Sequence, residues 1–247
     1  MAPLQLVVFD MAGTTVRDEH EVEACFAQAA TATGLHATAA RILAVQGHAK
    51  RAVFEQLWHE QLGASTPDTE LTARVEHSYQ AFRDILETHY RTQPVRPTEG
   101  CLELFAFLKS QGIRIALTTG FYRTVTDLIL HRLGWDANLD AQRRGNQHSI
   151  IDLSLASDEV AEGRPAPLLI LKAMQVLGIS DPRQVINVGD TPSDLESGRR
   201  AGCAYSLGVV NGTHTREQLA GYSNDGLLAS LAELQELLQA ELLPAQR

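Results

Sequence analysis

An α/β fold, a doubly wound parallel sheet with an inserted helical segment, follows from three features of this 247-residue chain. Three short apolar runs each end in a polar, turn-prone cluster. Two of these clusters lead directly into a helical pattern. After the first run comes a stretch of about 80 residues with several helical segments and no convincing strand, too long for a loop inside a compact domain.

The first run, Leu4 to Phe9, is nearly continuous in apolar residues, as in a central strand covered on both faces, and it closes on Asp10 and Ala12-Gly13-Thr14-Thr15. Punctuation then places the helices. One spans Glu21 to Thr33 and stops at Gly34, one is capped by Thr38 and runs to Val45 before Gly47, and one spans Lys50 to Leu62 and stops at Gly63. A long helix starts at Thr66-Pro67, an N-cap and first-position pair, and runs to about Tyr90. Pro94 and Pro97 mark the return, so residues 17–96 are expected to form a helical domain, with 1–16 and 97–247 forming the sheet domain. The second run, Ile113 to Leu117, gives way to Thr118-Thr119-Gly120 and a helix from Tyr122 to Leu133; the third, Val185 to Val188, gives way to Gly189-Asp190-Thr191 and a helix from Ser193 to Ala201. Beyond Val210 a polar segment with Gly212 and Gly221 precedes an amphipathic helix from about Leu227 to Leu242. Parallel strands joined by crossover helices hold ligands beyond their carboxyl ends, so the three polar clusters are expected at one edge of the sheet.

Composition excludes several classes of function. With 44% hydrophobic and 21% charged residues the chain is an ordinary globular one, not disordered, collagenous or coiled coil. No apolar run reaches the roughly 20 residues of a membrane helix, and Met1 to Asp10 lacks the pattern of a secretory signal, which predicts a cytoplasmic protein with no membrane partner. A net charge of −9 with scattered basic residues argues against nucleic acid. Cys25, Cys101 and Cys203 are odd in number and far apart, as expected of free thiols rather than a disulfide framework or a zinc site. Only three lysines occur, Lys50, Lys109 and Lys172, the last two reading as solvent charges.

The polar clusters carry groups suited to phosphoryl chemistry. Asp10 is a carboxylate at a strand end, where backbone amides of the following turn could surround an anion; taken alone, it also reads as a turn-capping aspartate. Asp190 and Asp194, at i and i+4 on entry to a helix, can face one side of its first turn and, with Asp10, make an oxygen-rich cage of the kind magnesium accepts, although aspartates there are also routine caps. Thr118-Thr119-Gly120 offers hydroxyl and backbone donors. Arg164, in Gly163-Arg164-Pro165-Ala166-Pro167 just before a helix that Pro167 can start, could balance a phosphoryl group and its attacking carboxylate.

Together and in this order, the four clusters resemble the four-motif pattern of the haloacid dehalogenase superfamily across nearly the whole chain. The resemblance implies a Rossmann-like core with a mobile helical cap, Asp10 as the nucleophile that forms an aspartyl-phosphate, Thr119 (with Thr118 second to it) as the phosphoryl-binding hydroxyl, and Arg164 as the stabilising cation. Mg2+ would be held by Asp10, Asp190, Asp194 and the Ala12 carbonyl. Phosphatases of the superfamily normally carry an acid two residues after the nucleophile, where this chain has Ala12. A methyl group transfers no proton, a loss of roughly two to four orders of magnitude for ester hydrolysis.

The string Asp10-Met11-Ala12-Gly13-Thr14-Thr15-Val16 resembles the first motif of phosphonoacetaldehyde hydrolases, which break a carbon–phosphorus bond through a lysine imine. Gly47-His48-Ala49-Lys50 resembles that family's Gly-x-x-Lys and implies Lys50 as the imine-forming amine. Arginine could not serve, because a guanidinium stays protonated. In this reading Thr118, Gly120, Gly47 and His48 contact substrate, His48 being a candidate proton carrier. Two features depart from the family pattern: Gln46 stands where methionine is common, and Arg51-Ala52-Val53 follows the lysine where polar residues including a histidine are usual. The expected substrate is a small phosphonoaldehyde or a related phosphate, and the resemblance also implies a homodimer joined through cap helices. Two other readings stay open from sequence: a magnesium-dependent phosphate-monoester phosphatase indifferent to Lys50, and a non-catalytic relative that binds a phosphorylated ligand or a partner.

Overall fold

A computed structural model of the chain describes residues 3–242. The first strand, β1 (Leu6–Asp10), is followed by four helices: α1 (Glu21–Thr33), α2 (Ala39–Ala44), α3 (Lys50–Leu62) and α4 (Asp68–Thr92). The chain then alternates through α5 (Cys101–Ser110), β2 (Arg114–Thr118), α6 (Arg123–Leu133), β3 (Leu153–Leu155), α7 (Leu168–Leu177), β4 (Val185–Gly189) and α8 (Pro192–Ala201). It ends with β5 (Tyr205–Val209), α9 (Arg216–Ala220), β6 (Gly226–Leu228) and α10 (Leu231–Leu237). The sheet has six strands in the order β3-β2-β1-β4-β5-β6, all parallel. Among the described residues no helix is long and apolar enough to cross a membrane.

Every residue of β1 is buried because both faces of the sheet are covered. Side chains alternate between the faces: Leu6 and Val8 pack with Leu169, Ile170 and Ala173 of α7, whereas Val7 and Phe9 join the larger cluster with Leu104, Phe105 and Leu108 of α5. Strand order reverses between β1 and β4, which opens a crevice at their carboxyl ends.

The four-helix insert enters and leaves side by side. Val16 bridges Pro97 in antiparallel fashion, Arg17 N–H donates to the Arg96 carbonyl at 2.9 Å, and Thr98 N–H donates to the Thr15 carbonyl at 3.0 Å. Its interior is aromatic: Phe26 stacks on Phe54 with ring centroids 4.4 Å apart, and Phe82 tilts against both. Trp58 Nε1 donates to Ser78 Oγ at 2.8 Å, which satisfies the one polar atom of that buried ring. The insert rests on the sheet domain through α4 and α6, where Tyr122 Oη donates to Glu87 Oε1 at 2.9 Å and the Arg83 guanidinium lies 4.6 Å from the Tyr122 ring centroid.

Several elements differ from the sequence expectation. Pro67 is itself the cap residue of α4, and no side chain, Thr66 included, caps its first turn; the far end reaches Thr92, where Arg132 of α6 donates to the carbonyls of Arg91 and Gln93. Leu227 and Leu228 are not helical: Gly226 to Leu228 pair with Leu207 to Val209, the ladder at the sheet edge outweighing helical periodicity, and the helix starts at Leu231. Strands β3, β5 and β6 went unseen in the sequence. Two are only three residues long, and β5 is interrupted by Gly208.

Phe54 is fully buried among Phe26 and Phe82. Phe54→Ala is expected to destabilise the protein by about 3–5 kcal/mol. Chemical denaturation followed by circular dichroism measures this, and a loss below 1 kcal/mol would mean the insert's core is not packed as described.

Candidate active site

Three carboxylates converge at the crevice between β1 and β4. Asp10 is the last residue of β1, in register with Thr118 of β2. Asp190 follows the last residue of β4, and Asp194 lies in the first turn of α8. The helix begins at Pro192, so Asp190 is not on it, and the expected i, i+4 pairing on one helical face does not exist. A capping box gathers the pair instead: Thr191 N–H donates to Asp194 Oδ2 at 3.1 Å, and the Thr191 hydroxyl accepts from Asp194 N–H at 3.4 Å. One oxygen from each of Asp10, Asp190 and Asp194 lies within 4.8 Å of the others. Asp190, fully buried, accepts from Thr14 Oγ1 at 3.0 Å and from Thr213 N–H at 2.7 Å.

Arg164 balances much of this charge. Its Nη2 lies 2.6 Å from Asp10 Oδ1, its Nη1 donates to Asp194 Oδ1, and its side chain is 2% exposed. The contact with Asp10 lacks hydrogen-bond alignment, so Nε and Nη2 are buried without an acceptor. Burial opposes the guanidinium's charge, but Asp194 and Asp10 outweigh it and hold Arg164 firmly protonated. Burial pushes the Asp10 carboxyl well above its ordinary range against the pull of Arg164, with Asp194 and Asp190 adding to the rise. Asp190 is pushed up to about 6 by burial and by Asp194.

The turn after Asp10 does not ring an anion with amides as its sequence suggested. The N–H groups of Thr14, Thr15 and Val16 all return to the Met11 carbonyl, and Gly13 N–H donates to Val16 at 2.8 Å, so these donors close the turn on itself. Gly13 is required there: at φ +86° a Cβ would fall 2.2 Å from Asp190 Oδ2. Donors for an anion come from the other side. Thr119 lines the cavity, its hydroxyl accepting from Phe121 N–H at 3.1 Å, while Thr118 turns away, its hydroxyl 3.5 Å from the Phe9 carbonyl.

The insert closes on this crevice through the loop before α3. A Cβ on Gly120 would lie 2.7 Å from the Gly47 carbonyl, and one on Gly47 would lie 2.2 Å from Ser193 Oγ, so Gly120 permits backbone to reach backbone and Gly47 makes room for the Thr191 and Ser193 side chains. Lys50 is the first residue of α3 and is 5% exposed. Its Nζ donates to Gln46 Oε1 at 3.0 Å, and burial pulls the amine down to about 8, against the carboxylates of Asp10 and Asp18. The other two lysines are not free solvent charges: Lys109 pairs with Asp152 at 2.7 Å, and Lys172 donates to the Glu159 carbonyl at 2.7 Å.

Asp10, Ala12, Lys50, Gly47, Thr119 and Gly120 therefore line one cavity of about 30 Å³. Arg164, Asp194 and Asp190 stand behind it through their contacts with Asp10, Thr191 and Thr213 respectively, while Thr118 and the half-buried His48 do not line it. Burial lowers the His48 imidazole's proton affinity, and Lys50 lowers it further. Four lining residues carried no sequence signal: Asp18, Val22, Phe121 and Thr213. Asp18 could have been suspected as the first carboxylate after the initial motif. The hard oxygen donors of the three buried aspartates fit a small divalent cation, whose charge would offset the burial, and the added repulsion, that raise Asp10 and Asp190.

Comparison with known proteins agrees with this geometry. Residues 4–202 match the haloacid dehalogenase-like hydrolase family model. The chain is 32% identical over 144 residues to a phosphonoacetaldehyde hydrolase of Bacillus cereus, a match covering 57% of this chain and about half, 48%, of that one. It is 27% identical over 261 residues to a phosphonoacetaldehyde hydrolase of Parabacteroides distasonis, covering 98% of this chain and 88% of the other. A phosphonoacetaldehyde hydrolase-like protein from Oleispira antarctica superposes with a TM-score of 0.74 over 96% of this chain and 92% of that one, at 19% identity, a likeness of fold. The strand order, the carboxylate cluster at the β1–β4 crevice and the family match lead to one statement of identity: the chain belongs to the haloacid dehalogenase-like hydrolases.

Proposed function

We propose that this hydrolase cleaves the carbon–phosphorus bond of phosphonoacetaldehyde or a related phosphonoaldehyde, with Lys50 forming an imine and Asp10 accepting the phosphoryl group. The observation that carries the reading is the environment of Lys50. An amine held down to about 8 by burial shares a cavity with a strand-end aspartate and with Ala12, where an acid for ester hydrolysis would stand. At pH 7 roughly a tenth of such a lysine is uncharged, against less than a thousandth of an ordinary one, and the uncharged amine is the form that attacks an aldehyde. The relatives named phosphonoacetaldehyde hydrolase support the same substrate class.

In this mechanism Gln46 orients the Lys50 amine, which adds to the aldehyde carbon and loses water to give a cationic imine. An oxygen of Asp10 attacks phosphorus in line with the carbon–phosphorus bond, and the electrons of that bond move into the imine, so that carbon leaves as an enamine rather than as a bare carbanion. Thr119 takes a phosphoryl oxygen, and the Arg164 guanidinium, held against Asp10 behind the cavity, supplies positive charge to the phosphoryl group that water would otherwise provide. Hydrolysis of the aspartyl-phosphate and of the imine returns both residues. Mg2+ held by Asp10, Asp190, Asp194 and the Ala12 carbonyl would, when bound, neutralise charge between the aspartate and the phosphoryl group. Closure of the insert excludes water from the imine.

Lys50→Arg is expected to abolish phosphate release from phosphonoacetaldehyde and the borohydride-trapped adduct seen by peptide mass spectrometry, with the melting curve retained. Turnover by that variant, or an adduct on Lys109 or Lys172 in the wild type, would defeat the imine assignment. Mg2+ at one hundred times its dissociation constant is expected to stabilise the fold by about 2.7 kcal/mol, and Asp190→Asn to lose most of that gain. Thermal melts with and without Mg2+ measure both, and an equal gain in the variant would place the cation elsewhere.

A further inference from the structure

Protons must reach and leave the Lys50 adduct, and neither Ala12 nor His48 can carry them: Ala12 has no titratable group and His48 does not line the cavity. One carboxyl group in the cavity has no part in the mechanism above. Asp18 lies just past the paired strands at Val16 and Pro97, where the chain passes from sheet to insert, and its side chain lines the same cavity as Lys50 and Asp10. Its Oδ1 accepts from Glu21 N–H at 2.8 Å and from Val22 N–H at 3.3 Å, which fixes it at the start of α1. Its carboxyl group stands near enough to that of Glu21, half-buried at the edge of the insert, for the two to share a hydrogen bond when one of them is protonated.

We propose that Asp18 is the proton-transfer residue of this active site, serving the carbon bound to Lys50, with Glu21 as its relay to solvent. The inference rests on the imine reading of Lys50. In the forward step the Asp18 carboxyl gives its proton to the hydroxyl of the carbinolamine on Lys50; the carbon–oxygen bond breaks, water leaves, and the nitrogen lone pair closes the C=N bond. A cationic imine and an Asp18 carboxylate remain, so charge balances. After phosphoryl transfer the Asp18 carboxylate, reprotonated from solvent through Glu21, gives that proton to the enamine carbon and restores the cationic imine. As a carboxylate again it takes a proton from the water that attacks the imine carbon, and collapse of the resulting carbinolamine breaks the carbon–nitrogen bond and releases the aldehyde and the amine of Lys50.

The surroundings of Asp18 suit an acid that is protonated at neutral pH. Burial, aided by the hydrogen bond to Glu21, pushes it up to about 8. Burial acts on Glu21 too, but the hydrogen bond from Asp18 and backbone N–H donors hold its carboxyl below the ordinary value. The charged and titratable groups facing Asp18 are Glu21 and Cys25 of α1, Lys50 of α3, Tyr90 of α4 and Asp190 beyond the cavity. Burial pushes both the Cys25 thiol, to about 11, and the Tyr90 phenol upward, so neither competes for the proton near pH 7. Lys50 is thus the one base among them whose adduct needs an acid.

Asp18→Asn tests the role, because asparagine keeps the carbonyl that receives the two α1 amides and loses the transferable proton. With phosphonoacetaldehyde, the variant is expected to lose on the order of 10²–10⁴-fold in kcat, and its single-turnover rate of borohydride-trappable adduct on Lys50 to fall in step, with an unchanged melting curve. Asp18→Glu, which keeps a titratable carboxyl, is expected to recover part of the rate. Glu21→Gln removes the charge that helps keep Asp18 protonated, so the descending limb of the pH–rate profile is expected to move to lower pH, a shift that a purely structural role would not produce. An Asp18→Asn protein that forms the Lys50 adduct at the wild-type rate overturns the proposal and leaves the imine route standing. A wild-type protein that forms no adduct on Lys50 overturns the imine reading, and the role of Asp18 falls with it.

Discussion

The site depends on one buried cation. Asp10, Asp190 and Asp194 hold oxygens within 4.8 Å of one another at a point with almost no access to water. Removing a carboxylate from water costs several kcal/mol, and placing three together adds repulsion, so such a cluster persists only with a compensating charge. Arg164 supplies it, touching Asp10 with one nitrogen and Asp194 with another. Compensation is incomplete, since Asp10 and Asp190 remain pushed toward protonation. That residual charge leaves the cluster suited to a further cation, and the buried Nε of Arg164, which has no acceptor, leaves it suited to an anion. A metal and a phosphoryl group answer both needs at once.

The fold brings these groups together by topology and the insert completes them by close approach. Reversal of strand order between β1 and β4 puts Asp10 and Asp190 on either side of one crevice. Gly47, Gly120 and Gly163 let the loop before α3 settle against the sheet, where side chains would collide with Ser193, the Gly47 carbonyl and Ala49. Lys50 is buried by that contact. Its altered basicity is therefore a property of the closed insert, and opening would return the amine to water and to its ordinary protonation.

Much of this was legible in the sequence, for identifiable reasons. Helices α1 and α3 have their predicted ends because Gly34 and Gly63 stop them, and β1 and β4 stand out because strands buried on both faces are almost wholly apolar. The candidate carboxylates stood out because strand ends and helix starts fix where polar side chains go, whereas Thr119 and Arg164 could be named only through the resemblance of the four clusters, taken in order, to the family's motifs. Edge strands β3 and β6 could not, since three residues carry no period. The turn at Thr14 to Val16 was misread because its composition suits an anion nest, whereas the Met11 carbonyl collects its amides. Asp18 belonged to no motif: its proximity to Lys50 arises only when α1 and α3 pack over the same crevice.

The central claim, that burial under the insert lowers the basicity of Lys50 beside Asp10, is tested most directly by titrating that amine in the folded enzyme. Nitrogen-15 NMR of the lysine side chains is suited to this, as the chain has only three. A midpoint for Lys50 near 8, returning toward 10.5 on unfolding, is the predicted result. A midpoint near 10.5 in the folded protein would contradict the account, for the lysine would then be an ordinary surface cation unable to attack an aldehyde at neutral pH.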